Sequence, residues 1–442
     1  MSLKTPEQVG KLQAALHGRA KRSPGYRFHQ LYDKVYRLDV LTFAYRRNRQ
    51  NAGQPGVDEQ TFEDIELYGL DRWLEELAKE LREKTYQPQA VRRVWIPKPD
   101  GKQRPLGIPT IRDRVVQMAV VLVLEPIFEA DLQPEQYAYR EGHSALEAVT
   151  VVKQWLNRGY TEVVDADLSG YFDAIPHAEL MKSVARRVSD RQMLHLVKMW
   201  LEAPVEETDE HGKRQRTTRN KDDGRGTPQG GVASPLLANL YMRRFVLGWK
   251  RQGHEQRLDA HIVNYADDFV ILMRPGFAEE AMLQMRKIMG KLRLTVNETK
   301  TRICRVPEET FDFLGYTFGR QYSPRTGSAY VGPKPSRKKV GRICEAISIA
   351  TDRHTTWQSV REVVDELNRK LRGWSNYFCV GTIVPAYETV MKHTRRRLRW
   401  WLSAKHKVRG DAYVRFPNPY LHRNLGLHQL PGLTQGMARA KP

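Results

Sequence analysis

Cysteine is scarce in this chain. Three occur in 442 residues, at Cys304, Cys344 and Cys379, with no CxxC pair among them. That spacing excludes a disulfide scaffold and a cysteine-based zinc module, and it fits a reducing, intracellular setting. Long apolar runs are also missing. None approaches the roughly 20 residues that span a bilayer, and the start "MSLKTPEQVGKLQ" lacks the apolar stretch of a secretory signal. A membrane partner is therefore not expected. No segment repeats at a fixed period, which excludes a solenoid. The third shortage is of negative charge: 51 Asp+Glu face 73 Lys+Arg, a net charge of +22. A balance that basic points to a polyanionic partner, nucleic acid first.

An apolar fraction of 40% is enough for folded domains with sizeable cores. The first 25 or so residues are polar and basic and are expected to form an arm over 1–28. "YRFHQLYDKVYRLDVLTFAYRRNRQNAG" reads as a helix stopped by Gly and Pro at "GQPGVD". "LDRWLEELAKELREKTY" is an amphipathic helix, with Leu70, Trp73, Leu74, Leu77 and Leu81 at helical spacing. From residue 90 short strands take over. "VRRVWIPKPDGKQRPLGIP" alternates like a hairpin that turns at "PDGK". "VEETDEHGKRQRTTRNKDDGRG" has no apolar periodicity and reads as a solvated loop or hairpin. "FDFLGYTF" reads as one short strand. Beyond about 335 the chain is helical and strongly basic, with 12 Lys/Arg against 4 Asp/Glu in residues 361–410.

Two acidic segments carry the chemistry. "NYADDFVIL" sets Asp267 and Asp268 against the apolar run Phe269 to Leu272, and "EVVDADLSGYFDAI" puts Asp165 and Asp167 two apart behind Val163 and Val164. Carboxylates two apart on a strand point the same way. If both segments end core strands of one sheet, their charges repel, and one carboxyl takes up a proton unless a cation intervenes. Mg²⁺ suits such hard oxygen donors, and a pair of ions activates the attacking oxygen and stabilises the leaving one in phosphoryl transfer.

These blocks resemble the group II intron-encoded reverse transcriptases. "YADD" (Tyr265 to Asp268) is similar to the family's signature, "DADLSGYFDAIPH" to its first carboxylate motif and "GRGTPQGGVASPLLANLYM" to the motif between them. "IPKPDGKQRPLGIPTIRDRVVQ" resembles its fingers hairpin, "NAGQPGVDEQTF" its N-terminal extension, and "LTVNETKT" and "FDFLGYTF" its late palm motifs. The blocks run in family order from about residue 29 to 320. "LNRKLRGWSNYFCVGTIVPAYETVMKHTRRRLRWWLSAKHKVRG" looks like its maturase, or X, domain.

The resemblance implies an α+β right-hand polymerase: a fingers extension over 29–89, fingers and palm with antiparallel sheet and helices over 90–330, an α-helical thumb/maturase domain over 331–410 and a tail over 411–442. It implies Asp167, Asp267, Asp268 and the Leu168 carbonyl as ligands of two Mg²⁺ ions. Asp165 is expected only to support them. Lys98, Arg104, Phe172, Gln229 and Lys300 are implied to contact the dNTP, Phe172 as a gate against the ribose 2′-OH and Lys300 as a proton donor to pyrophosphate. Arg140 and a helical stripe of Lys392, Arg395, Arg396, Arg397, Arg399, Lys405 and Lys407 are implied to contact RNA. Trp400 and Trp401 alternate with that stripe, either as core or as stacking surfaces.

The expected partners are intron RNA, an RNA template with a DNA primer, a DNA target and dNTPs; the oligomeric state is left open. After "RFPNPYLHRNLGLHQLPG" the His/Cys-rich endonuclease segment of some relatives is not seen, so mobility without a self-made cut is expected. The alternatives are a domesticated or defence-associated reverse transcriptase, or a splicing cofactor with a vestigial polymerase. One departure from the family is Glu141, which stands where many relatives have proline in the "YAYREGHSALEA" segment.

Overall fold

The computed structural model describes residues 3–97, 101, 103–208, 213–227, 230–323 and 326–431. Lys98 and Gln229 lie outside them. The chain divides into two compact units, each built from separate stretches: residues 1–143, 166–269 and 280–301 form one, and residues 144–165, 270–279 and 302–442 the other.

The first unit is organised around the helix Ile111–Glu129, which is buried on nearly all sides. A helix apolar all round needs other elements on every face. One of them is the N-terminal stretch: instead of a free arm, Glu7–Arg22 is a helix whose Val9, Leu16 and Ala20 are buried. It is also pinned by hydrogen bonds, from Gln13 Nε2 to the Leu122 carbonyl (3.1 Å) and between His17 Nδ1 and the Pro126 carbonyl (3.0 Å). The basic residues that suggested an arm occupy the other face. The next predicted helix is broken into Tyr32–Val35 and Leu38–Gln50, and the amphipathic one is Leu70–Glu83, with Trp73, Leu74, Leu77 and Leu81 buried.

The fingers hairpin pairs Val91–Pro97 with Gln103–Ile108, in a register from Arg92 opposite Ile108 to Pro97 opposite Gln103. The charged insert is ordered in two strands, Val205–Thr208 and Arg214–Thr217, and the first adds to the hairpin in parallel through Val91 and Val205. The antiparallel pairing of the two strands matches the hairpin alternative of the sequence reading, and pairing at a sheet edge requires no apolar alternation on the added strands.

In the second unit, the strand pieces 270–273 and 162–165 and the strand Arg302–Arg305 lie side by side in that order. Glu162 faces Arg305 and Asp165 faces Arg302, with ion pairs of 3.2 and 3.8 Å. "FDFLGYTF" makes two strands, Phe311–Phe313 and Tyr316–Tyr322, turning through Leu314 and Gly315 at positive φ. Ala329–Pro335 pairs with the second of these. The helices Arg337–Ala350, Val360–Tyr377 and Val384–Lys405 then close on a core that includes Ile347, Leu367, Leu371, Met391, Leu398 and Trp401.

Candidate active site

The carboxylates gather in the first unit. The signature sits in a hairpin whose first strand is Ala260–Tyr265 and whose second starts at Asp268. Ala266 and Asp267 make its turn, with Ala266 in the left-handed region at φ +58°. The residue before the signature fixes that turn. Asn264 is wholly buried, and its Nδ2 donates to the Ala266 carbonyl at 2.8 Å. Its own backbone N–H donates to the Glu135 carbonyl at 2.9 Å, and its carbonyl accepts from Tyr137 N–H at 3.0 Å.

The first carboxylate segment is held from the other side. Asp167 donates its backbone N–H to Thr301 Oγ1 (3.2 Å), and its carbonyl accepts from Asn297 N–H (2.8 Å). Leu168 is buried and bridges Val296. The Asp167 carboxylate accepts from Asn297 Nδ2 at 2.9 Å and pairs with Lys300 Nζ at 3.2 Å. "VNETKT" therefore supplies a clamp on Asp167, a role for Asn297 and Thr301 that the sequence left unassigned.

Electrostatics tie the two segments together. Burial pushes the Asp267 carboxyl up from its ordinary value, with Asp167 adding to the rise and Arg104 and Lys300 opposing it. Asp268 keeps solvent contact, yet protein crowding around its carboxyl, then the charges of Asp267 and Asp167, push it up to about 6. Like charges in one place raise a carboxyl's affinity for a positive partner of any kind. Arg104, exposed on the fingers strand Gln103–Ile108, is one such partner, and Lys300 is another.

The donor set fits Mg²⁺, being oxygen-only and short of neutralising charge. Among the described residues, however, no three His, Cys, Asp or Glu side chains converge as a ready ion cage. Lys300 and Asn297 hold the Asp167 carboxylate. The Lys300 ammonium neutralises the charge that an ion would otherwise meet.

Phe172 is half-buried beside these groups. Its carbonyl accepts from Thr227 N–H at 2.8 Å, and its ring meets Tyr171 edge-on at 5.7 Å. Tyr171 is fixed by donation to the Ala238 carbonyl at 2.7 Å. In "TPQGG", Gly230 has φ +105°, and a Cβ there would lie 2.3 Å from the Gly107 carbonyl, so only glycine lets this loop reach the fingers strand. Tyr139, which the sequence did not single out, also has positive φ (+55°) and an exposed ring. Crowding and then the Asp267 charge push its hydroxyl up.

Several expected RNA contacts are used inside the protein instead. Arg140 is 7% exposed; it forms a bidentate pair with Glu129 (2.5 Å) and donates to the Gln133 and Gln136 carbonyls. Its guanidinium holds the segment that presents Tyr139. In the second unit the helix Val384–Lys405 divides by face. Arg397 donates to the Ser348 and Thr351 carbonyls (both 2.9 Å), Arg399 to the Phe416 carbonyl (2.8 Å), Arg395 to His422 (3.0 Å) and Lys405 to the Thr356 and Gln358 carbonyls. Lys392, Arg396 and Lys407 are exposed. The tryptophans split likewise: Trp401 is core, while Trp400 is 51% exposed under the Arg396 guanidinium at 5.2 Å. A helix carrying cations all round buries some of them once both faces pack, and sequence spacing alone does not say which.

Comparison with known proteins agrees with the motif order. Residues 96–318 match the family described as reverse transcriptase (RNA-dependent DNA polymerase), and residues 340–416 match the group II intron maturase-specific domain. Protein YkfC of Escherichia coli is 32% identical over 75% of this chain and 93% of its own length. Group II intron-encoded protein LtrA of Lactococcus lactis is 32% identical over 50% of this chain and 36% of its own. A putative COX1/OXI3 intron 1 protein of Saccharomyces cerevisiae is 26% identical over 63% of this chain and 38% of its own. The chain thus spans nearly all of the first relative and little more than a third of the other two.

Proposed function

The chain belongs to the reverse transcriptase (RNA-dependent DNA polymerase) family and carries a group II intron maturase-specific domain, and from that premise we propose that Asp167, Asp267 and Asp268 form the centre at which a DNA primer is extended on an RNA template. The observation that supports this reading is the mutual repulsion of Asp167 with Asp267 and Asp268, opposed by Arg104 and Lys300. Carboxylates clustered against cations in this way suit a site that handles a triphosphate.

The two aspartates of the signature and Asp167, with the Leu168 carbonyl, would hold two Mg²⁺ ions, which when bound supply a deprotonated primer 3′-OH and neutralise the leaving pyrophosphate. The remaining steps belong to the side chains. Arg104 neutralises the triphosphate as the fingers approach it. The Phe172 ring, fixed through Tyr171 and Thr227, closes the space a 2′-OH would fill and selects deoxynucleotides. Lys300, released from Asp167, protonates pyrophosphate in this reading.

Intron RNA is the second substrate in this reading, bound through the exposed cations Lys392, Arg396 and Lys407 to promote splicing, with a DNA target for insertion. Asp267→Ala is expected to lower cDNA synthesis on a primed RNA template by at least about a hundredfold while RNA binding by filter retention stays within twofold of wild type. Wild-type synthesis by that variant would overturn the assignment of roles.

A further inference from the structure

The first unit holds a second cluster of charge that none of the polymerase motifs uses. On the helix Ser234–Arg251, Tyr241, Met242, Phe245, Val246 and Trp249 face the core. The opposite stripe, Leu240, Arg243, Arg244, Leu247 and Arg251, follows the 3–4 spacing of a single helical face. Lys182 and Arg186, on and just past the helix His177–Ala185, come alongside it. Together these residues line a groove of about 350 Å³ with five cations and, among its lining residues, no carboxylate.

Two carboxylates set behind the groove anchor it without cancelling its charge. Asp131 pairs with Arg186 and with the buried Arg187 (3.1 Å), and its carbonyl accepts from Arg243 Nε at 2.6 Å. Glu179 pairs with Lys182 at 2.7 Å and Arg244 at 2.8 Å. Four cations thus pair with these two acids. Arg251 in the last turn has an ordinary reason to be basic, since it favours the helix dipole; Arg243 and Arg244 in mid-helix do not. Burial, then Arg186 nearby, pushes the Arg243 guanidinium down to about 10, with Asp131 opposing the shift, as expected for a part-buried cation among other cations.

We propose that this groove binds the phosphodiester backbone of a nucleic-acid strand, at a site sharing no residue with the carboxylate cluster. Guanidinium forks match phosphate oxygens in pairs. Arg243 and Arg251 stand two helical turns apart, about 12 Å, so the stripe can meet more than one phosphate. The half-buried Leu247 offers apolar surface to a sugar or base edge. An acidic protein surface would satisfy the charge but not the forked, successive spacing.

The proposal does not rest on the polymerase assignment, and Asp267→Ala leaves its test untouched. The test uses the full chain and a fluorescein-labelled 20-nucleotide single strand, as RNA and as DNA of the same sequence, with anisotropy followed against KCl concentration. Lys182 and Arg251 are both exposed, so Lys182→Glu with Arg251→Glu should fold normally. Loss of two phosphate contacts makes the slope of log affinity against log salt shallower by about 1.4, with affinity down about tenfold or more at low salt. Extension of a saturating, preannealed primer–template should be unchanged. Equal loss on both strands assigns the groove to any single strand, and loss on RNA alone assigns it to RNA. Arg361→Glu with Arg72→Glu, on side chains 93% and 70% exposed, is the control for net charge. If the double variant melts early, Lys182→Gln with Arg251→Gln carries the same readout. An unchanged slope, or an equal loss in the control, would overturn the proposal. So would a groove variant that loses only binding of polyglutamate.

Discussion

Lys300 is exposed and bonded to the carboxylate that metal chemistry needs. Its ammonium sits 3.2 Å from Asp167 Oδ2, with Asn297 Nδ2 2.9 Å from the same oxygen. A divalent ion that takes Asp167 Oδ2 competes with Lys300 for it. Lys300→Met removes the competitor, and the variant is expected to bind Mg²⁺ several-fold more tightly in the absence of substrate. Binding to the folded state raises the melting temperature in proportion to its strength, so an Mg²⁺ titration of thermal unfolding reads the shift directly. If Lys300 also donates the proton to pyrophosphate, the same variant loses turnover while gaining ion affinity. An unchanged Mg²⁺ midpoint would show that the pair does not compete. At this scale the sequence displayed the reactive groups and concealed their holders. Asp167, Asp267 and Asp268 stand out because adjacent charges on apolar strands need explaining. Asn264, Asn297 and Thr301 are ordinary polar residues until the backbone brings the two amides to donate and the Thr301 hydroxyl to accept from Asp167 N–H. Asn264 directly precedes the signature, and its position against a buried strand was the one available hint.

At the scale of elements, periodicity identified the helices and missed what joins them. Asp190 caps the helix Arg191–Leu201 by accepting from Gln192 N–H (3.0 Å) and Met193 N–H (3.2 Å). An aspartate before an apolar helix predicts that much. Its other oxygen accepts from the backbone N–H groups of Leu31 and Tyr32, both at 2.8 Å, and no local pattern predicts that link across the chain. Burial pushes the Asp190 carboxyl up, but the four N–H donors outweigh it and leave it below the ordinary value. A carboxyl depressed on folding contributes stability above its unfolded pKa of about 3.9, and that contribution is lost as pH falls through the folded value. Asp190→Asn is therefore expected to cost about 1–3 kcal/mol at pH 7, measured by urea unfolding. The gap should narrow below about pH 4 as the wild-type carboxyl protonates. A gap that is constant from pH 7 to pH 3 would mean that shape, rather than charge, carries the cap. The charged insert makes the opposite point about legibility. Val205–Thr208 looks like a loop because its register with Val91–Pro97 depends on a strand more than a hundred residues away.

For the molecule as a whole, net charge says that a polyanion binds and leaves open which cations meet it. Of +22, much is committed internally: Arg140, Arg187, Arg397, Arg399 and Lys405 all donate to backbone carbonyls of their own unit. A cation already satisfied in this way gives up little to a phosphate, whereas an exposed one releases counterions on binding. Exposure therefore separates two kinds of basic residue that composition counts alike. Replacing Lys392, Arg396 and Lys407 together by Gln is expected to leave thermal unfolding unchanged and to make the salt slope for RNA binding shallower by about 2. Arg399→Met should do the reverse. Arg399 is 4% exposed and holds the Phe416 carbonyl at 2.8 Å, and leaving a buried acceptor without its charged donor costs about 1–3 kcal/mol. Its salt slope should stay at the wild-type value once the protein is folded. Melting curves and anisotropy on the same two samples decide the matter, because each variant is predicted to move one measurement and leave the other in place. If Arg399→Met lost RNA affinity without losing stability, the inward arginines would have to be counted among the RNA ligands after all.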